Sequence, residues 1–345
     1  MSVNIKFERR GGDSMKKVRV GIIGLGSWGS CHLEAYAAMP QAEVVAVCDR
    51  NAERAQELAQ KFGVPHAYSE SDELLAREDL DMVSIVTFEN DHFGPAIRAL
   101  ESGKHVLVEK PVSTKLHEAK KMMETAEACG RYIFPGHLLR FEPRYAEIYK
   151  AIRSGRVGAP ESMYFKRGRT KRMFQTYKRI HTVFELTVHD LDLAIWYADS
   201  RVKSVKAYAR KINDTVVPDL LWACLQFENG TLAFLHSNWM SPDEAGIVMN
   251  DSVEVIGANG IAQFENSGSN LQLWDASGRH SPDFYIHHVL NGSSFGALRE
   301  QLNYACGCAA SGTKPEYTSF ADAVHGIEVA EAIIRSSETG SEIFL

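Results

Sequence analysis

The stretch Val18-Arg19-Val20-Gly21-Ile22-Ile23-Gly24-Leu25-Gly26-Ser27-Trp28-Gly29 sets an apolar run directly before a Gly-x-Gly-x-x-Gly triplet. The run reads as a buried strand, and residues 30–39, closed by Pro40, have the composition of a helix. A second strand follows over 43–48 and leads into Asp49, twenty positions after Gly29. Each glycine has its own task in such a unit. Gly24 permits the tight turn, Gly26 lets a pyrophosphate approach the backbone, and Gly29 lets the helix pack closely on the sheet. Unpaired amides at the helix start, near Ser27 and Trp28, would receive phosphate charge. Glycine-rich turns alone are common, but strand, triplet, helix, strand and acid in this order point to a dinucleotide site. Asp49 can accept hydrogen bonds from both hydroxyls of an adenosine ribose and repels a 2′-phosphate, which favours NAD over NADP. Arg50 keeps NADP open, because a guanidinium there stacks on adenine or pairs with that phosphate.

Around this unit the chain of 345 residues is long enough for two domains, each with its own core. Hydrophobic residues at 45% and charged residues at 24% give an ordinary globular composition. The formal net charge of 38 − 44 = −6 argues against nucleic acid as a partner. No apolar run approaches the roughly 20 residues needed to span a bilayer, and the first fifteen residues lack the pattern of a secretory signal. Six scattered cysteines read as reduced thiols of a cytoplasmic protein, and Cys306-Gly-Cys308 lacks metal-ligand spacing.

Strands expected at 18–23, 44–48, 82–87, 105–109 and around Ile133 alternate with helices at 52–62, 71–76, 94–102 and 116–129, which implies a parallel sheet covered on both faces. The texture then changes. Strands at 162–167, 205–211, 221–227, 231–238, 252–256, 261–265 and 270–274, with hairpin signals at Asn229-Gly230 and Asn259-Gly260, predict a mostly antiparallel open sheet. Helices at 296–308 and 321–336 close the chain. The fold class is therefore α/β: a Rossmann dinucleotide-binding domain over 16–134, after a loose extension over 1–15, and an α+β substrate and oligomerisation domain over 135–345.

Two groups of residues can carry chemistry. Glu109-Lys110-Pro111 ends a strand at the edge where ligands collect in open parallel sheets, so Lys110 is placed to polarise an alcohol or carbonyl oxygen beside a nicotinamide. A lysine at a strand end is the plainer reading. Glu185-x-x-x-His189-Asp190-Leu191-Asp192 precedes an apolar stripe, and on a helix Glu185 and His189 share a face. Histidine suits removal of a hydroxyl proton as hydride leaves the same carbon, with Glu185 orienting the ring or a neighbouring hydroxyl. An acidic helix start serving the dipole explains the same run, above all for Asp190 and Asp192. His181, Glu185 and His189 also invite a metal reading, but no fourth ligand is evident.

The chain resembles the Gfo/Idh/MocA oxidoreductases, which include inositol dehydrogenases, glucose–fructose oxidoreductase and nucleotide-sugar dehydrogenases. The resemblance rests on Gly24-Leu-Gly26-Ser-Trp-Gly29, Thr87 with His92 five residues on, Glu109-Lys110-Pro111, Gly136-His137-Leu138-Leu139-Arg140-Phe141-Glu142-Pro143 and His189-Asp190-Leu191-Asp192, in that order. It implies that Lys110 and His189 form a catalytic pair, that Thr87 and Glu109 lie along the nicotinamide ribose, that His92 flanks the ring, and that Arg140 and Phe141 begin the link toward substrate. It also implies a homodimer or homotetramer through the open face of the second sheet. Glu185 stands where the family usually has aspartate, Phe88-Glu89 where Pro-Asn is frequent, and 179–184 replaces a glycine-rich approach; these departures bear on substrate pose.

Lys166, Arg167, Arg169, Lys171, Arg172, Lys178 and Arg179 form a basic run without an acid. The run, Arg167 included, could hold an anionic substrate such as a sugar acid, sugar phosphate or nucleotide sugar, and a solvated loop or a subunit contact explains it about as well. Tyr285, His287 and His288 could also reach the cleft, but ordinary packing or surface exposure is the favoured reading of each. The expected activity is NAD(P)-dependent hydride transfer at a secondary hydroxyl of a sugar, inositol or polyol. An NAD-dependent glycosidase on the same scaffold and a noncatalytic nucleotide sensor are the other readings.

Overall fold

A computed structural model describes residues 17–213, 215–266, 271–276 and 278–345. The extension expected over 1–15 and the first residue of the strand expected over 270–274 lie outside the described residues. In the first half, β1 (Val18–Ile23), α1 (Ser27–Ala37), β2 (Ala42–Cys48), α2 (Ala52–Phe62), β3 (His66–Tyr68), α3 (Ser71–Leu75), β4 (Met82–Ile85), α4 (Phe93–Glu101), β5 (His105–Glu109), α5 (Leu116–Cys129) and β6 (Ile133–Gly136) follow one another. The six strands are parallel and ordered β3-β2-β1-β4-β5-β6, so the order reverses beside β1. Crevices form at such a switch point, outside the carboxyl ends of the strands. β4 and all but the first residue of β5 are buried, as strands covered on both faces must be.

The second half contains α6 (Pro143–Arg153), β7 (Pro160–Thr170), α7 (Lys171–Tyr177), a π-helical turn (Val183–Thr187), α8 (Val188–Ala198), β8 (Val202–Arg210), β9 (Leu220–Phe227), β10 (Leu232–Ser241), β11 (Asn250–Gly257) and β12 (Gly260–Asn266). Two small hairpins follow, β13 (Leu273–Asp275) with β14 (Gly278–His280) and β15 (His288–Leu290) with β16 (Ser293–Phe295); α9 (Ala297–Ser311), α10 (Phe320–Thr339) and β17 (Ile343–Phe344) complete the chain. The large sheet runs β12-β11-β7-β10-β9-β8-β17, antiparallel except for β7 beside β10. Strict alternation buries Leu221, Ala223, Leu225 and Phe227 of β9 on one face and turns Trp222 outward. Asn229-Gly230 joins β9 to β10, whereas Gly257 pairs with Gly260, so the second turn is Ala258-Asn259 and Gly260 already belongs to β12.

The buried face of the large sheet is covered by α8 and by α10, which also lies against α5 of the first half. α9 contributes Leu298 and Leu302 to a core shared with Val20, Leu33 and Val47. A buried ion network fastens these layers. Arg140, after β6, donates from Nη2 to Asp192 of α8 at 2.7 Å and to Asp322 of α10 at 3.1 Å, and lies over the Trp196 ring at 5.2 Å. Arg140 therefore does not reach substrate, contrary to the expectation from its motif. Asp192 is not a helix-dipole acid but the carboxylate that lets a guanidinium be buried.

Candidate active site

A cleft of about 910 Å³ runs from the glycine loop between the two sheets and contains Gly24, Gly26, Asp49, Thr87, Glu109, Lys110, Glu185 and His189 on its walls. Its nucleotide end follows from backbone geometry. Gly24 has φ +92°, and a Cβ there would lie 2.5 Å from the Val86 carbonyl oxygen; one on Gly29 would lie 2.0 Å from the Gly24 carbonyl oxygen. Both positions are closed to side chains. A Cβ on Gly26 would meet nothing within 4 Å, which is the open approach a pyrophosphate needs. α1 starts at Ser27 with no side-chain cap and no acid in its first turn, so the amides of Ser27 and Trp28 stay available to an anion. These features fit a dinucleotide.

Asp49 receives the Leu25 amide at 2.7 Å and the Asn51 amide at 2.9 Å, bracing the glycine loop against the end of β2. A carboxylate offers about four acceptor positions, so about two remain for ribose hydroxyls. Arg50 donates to Asp91 at 3.0 Å in a solvent-exposed pair. Thr87 lines the cleft, but His92 does not: it is 1% exposed, with its ring nitrogens 2.9 Å from the Pro111 carbonyl and 3.1 Å from the Thr87 carbonyl. His92 thus braces Thr87 and the turn after Lys110 from behind, rather than flanking a nicotinamide. Burial pushes its pKa down, partly offset by those carbonyls.

Glu109, the last residue of β5, is buried with Oε1 2.9 Å from His32 Nε2 of α1. Burial pushes its carboxyl up, but His32, Trp28 and Lys110 outweigh this and hold it below the usual range. Lys110 follows, with Pro111 behind it in a cis peptide. Lys110 Nζ lies 3.0 Å from Glu185 Oε1, a contact that joins the end of β5 to the π-helical turn of the second half. The Glu185 carboxyl is pushed up by burial, which Lys110 only partly offsets. The wider turn over Val183–Thr187 changes the helical phase expected for Glu185 and His189. Glu185 consequently pairs with Lys110, and no hydrogen bond links it to His189.

His189 lines the cleft from the first turn of α8. Its Nδ1 is shut off from solvent without a partner, which leaves Nε2 as the nitrogen open to the cleft. Burial, then Lys110, Arg167, His137 and Arg169, drive its pKa well below the ordinary histidine value. His189 is therefore neutral at pH 7 and able to accept a proton.

The arginines of the basic run that line the cleft are paired with carboxylates rather than left free for an anion. β7 alternates, so Arg167 and Arg169 point inward, where Arg167 pairs with Asp190 at 2.6 Å and Asp251 at 3.3 Å, and Arg169 with Asp251 at 3.1 Å. Asp190, read from sequence as a helix-start acid, is one partner of this buried cluster. Arg179 pairs with both oxygens of Glu89. Every cation lining the cleft among the described residues has a carboxylate partner: Arg50 and Arg98 are held by Asp91 and Asp72, Lys110 by Glu185, Arg144 by Glu142, and the three arginines as above. Sequence reading missed His32, Asp251 and the Glu89–Arg179 pair, whose partners are far apart in the chain. Tyr285 lies against the Arg144 guanidinium at 4.0 Å and His287 against Glu34 at 2.9 Å; neither they nor His288 line the cleft. Among the described residues no group of three metal-ligating side chains gathers, and no helix is long and apolar enough to cross a membrane.

Family models match both halves of the chain: an oxidoreductase family with an NAD-binding Rossmann fold over residues 18–137, and a GFO/IDH/MocA C-terminal domain over 145–263. The chain belongs to the Gfo/Idh/MocA oxidoreductase family. It is 27% identical over 95% of its length to the scyllo-inositol 2-dehydrogenase (NAD(+)) of Bacillus subtilis, covering 96% of that protein. It is 32% identical to the UDP-N-acetylglucosamine 3-dehydrogenase of Acidithiobacillus ferrooxidans over 64% of this chain and 67% of that one. The fold matches the scyllo-inositol dehydrogenase of Lactobacillus casei, solved with NAD(H) and scyllo-inositol, with a TM-score of 0.82 at 17% identity over 95% of this chain and 99% of that one. The protein is an NAD-binding oxidoreductase.

The lowered pKa of His189 fixes the sign of a pH dependence. A histidine acting as a base is lost on protonation, and the lowered value would delay that loss to more acidic pH. The kcat/KM for nicotinamide reduction is expected to stay flat from about pH 7 to about pH 6 and to decline only below that. An acid limb centred near the ordinary histidine value of about 6.5 would contradict the burial of His189.

Proposed function

We propose that the protein is an NAD-dependent dehydrogenase acting on a secondary hydroxyl of a sugar, inositol or related polyol. The observation that carries this reading is one cleft that holds an open glycine loop at one end and Lys110, Glu185 and a neutral His189 at the other. When bound, the nicotinamide supplies the acceptor for a hydride from the carbinol carbon.

The chain's own residues do the rest. His189 Nε2 takes the hydroxyl proton as the C–H bond breaks, so the alcohol becomes a carbonyl. Lys110 Nζ stabilises the oxygen as negative charge develops on it, in a site partly closed to water. Glu185 holds Lys110 in place, and its raised pKa allows it to carry a proton or to bind a neighbouring hydroxyl. Asp49 and the α1 amides hold the nucleotide. Lys110→Ala is expected to bind NAD within about threefold of wild type, measured by fluorescence titration, while turnover falls by about a hundredfold or more. Wild-type turnover in that variant would remove Lys110 from the reaction.

The assembly we propose is a dimer through the outer face of the large sheet. Tyr208, Trp222, Phe234, Ile256 and Ile261 stand exposed on successive strands there, and monomers rarely leave so extended an apolar face to water. A second copy of the same chain is the occupant. Sedimentation equilibrium is expected to give at least twice the chain mass, with Trp222→Glu shifting the protein toward single chains; a wild-type monomer at micromolar concentration would contradict the dimer.

A further inference from the structure

Among the described residues two ion pairs cross the cleft, Lys110–Glu185 and Arg179–Glu89, and the second has no place in the hydride-transfer scheme. Phe88 and Glu89 follow β4 on the nucleotide side; Arg179 stands between α7 and the π-helical turn on the other. Arg179 Nε and Nη2 bond the two Glu89 oxygens, with Nε 3.2 Å from Oε2. The guanidinium also lies 4.7 Å from the centre of the Phe88 ring and 5.4 Å from that of Tyr177. Glu89 is 8% exposed, whereas the Arg179 side chain is 35% exposed. Both act on the reaction centre, Glu89 raising and Arg179 lowering the pKa of Glu185.

A guanidinium fork that grips both oxygens of one carboxylate would grip a substrate carboxylate or phosphate equally well. Here the fork is already filled by the chain. An anionic substrate has to displace Glu89, which leaves a buried carboxylate unpaired beside Glu185, or else approach it against like-charge repulsion. Resting on the dehydrogenase reading, we propose that Glu89 sets the charge class of the substrate: by occupying Arg179 from the opposite wall it admits uncharged polyols and refuses carboxylated or phosphorylated ones. Discrimination of this kind comes from the penalty on the wrong ligand rather than from a contact to the right one. The residues that depart from the family pattern at 88–89 and at 179 are partners of each other, so the departure is a coherent change to one wall contact.

The test is calorimetric titration of the NAD-loaded protein with D-glucuronate, for wild type, Glu89→Gln, Glu89→Asp and the double variant Glu89→Gln/Arg179→Met. Glu89→Gln is expected to bind glucuronate at least about tenfold more tightly than wild type, a gain lost in the double variant. Glu89→Asp, which keeps the charge, is expected to behave as wild type. Equal affinity of wild type and Glu89→Gln, including no measurable binding by either, overturns the proposal, as does a gain that survives loss of Arg179. Binding is read without turnover, so a parallel screen of polyols for NAD reduction separates the two claims. Failure of the dehydrogenase reading leaves every polyol unoxidised while the affinity shift persists; failure of the Glu89 assignment leaves oxidation intact and the affinities unshifted.

Discussion

The contact between Lys110 Nζ and Glu185 Oε1 at 3.0 Å is the constraint on which the site depends. It ties the carboxyl end of a buried parallel strand to a widened helical turn in the other half of the chain. Neither side chain has enough exposure to be solvated alone, so each needs the other. The pairing places the amine over the mouth of the first sheet, and His189 follows on the same chain segment four residues later. In the proposed reaction, a nucleotide along the glycine loop and a carbinol at Lys110 would meet in one cavity because the two halves of the chain share this contact.

Behind it, α8 is immobilised by arginines on opposite sides. Asp192 receives Arg140, and Asp190 receives Arg167, which also reaches Asp251 on β11. Buried charges of this kind are tolerated only when paired with good geometry, and removal of one partner typically costs about 3–5 kcal/mol. Their consequence for function is orientation. A helix start held from both sides presents His189 to the cleft with Nδ1 sealed off, and the charge around that ring disfavours its protonated form.

Much of the architecture was legible in the chain because local patterns and tertiary packing agree. The glycine triplet, the apolar runs and the period-two alternation after residue 160 each specify an element whose burial matches its pattern. β3 and β17 were not legible, since three and two residues carry no periodicity. α6 carries a readable start, Pro143 after Glu142, whose carboxylate caps the Arg144 and Tyr145 amides. Among the residues that line the cleft, the glycines, Asp49, Thr87, Glu109, Lys110, Glu185 and His189 could be named because spacing puts them at strand ends or on one helical segment. Composition misled at the basic run: it counts charges but not their partners, and Asp251 and Glu89 lie 82 and 90 residues from Arg169 and Arg179. Arg140 and His92 were misread for the same reason, since a motif marks a residue without saying whether it faces the cavity or the core behind it.

In the proposed reaction a hydride leaves a carbinol carbon held between Lys110 and His189 and stays on the cofactor. Incubating the enzyme with NAD and a polyol deuterated at each carbinol carbon, then examining the reduced nicotinamide by mass spectrometry, tests this most directly. One deuterium per turnover on the nicotinamide, together with a slower rate than for the protiated polyol, is the predicted result. Product formed without deuterium or reduced nicotinamide accumulating, or deuterium lost to water, would contradict it and favour a reaction in which the cofactor is restored within each cycle.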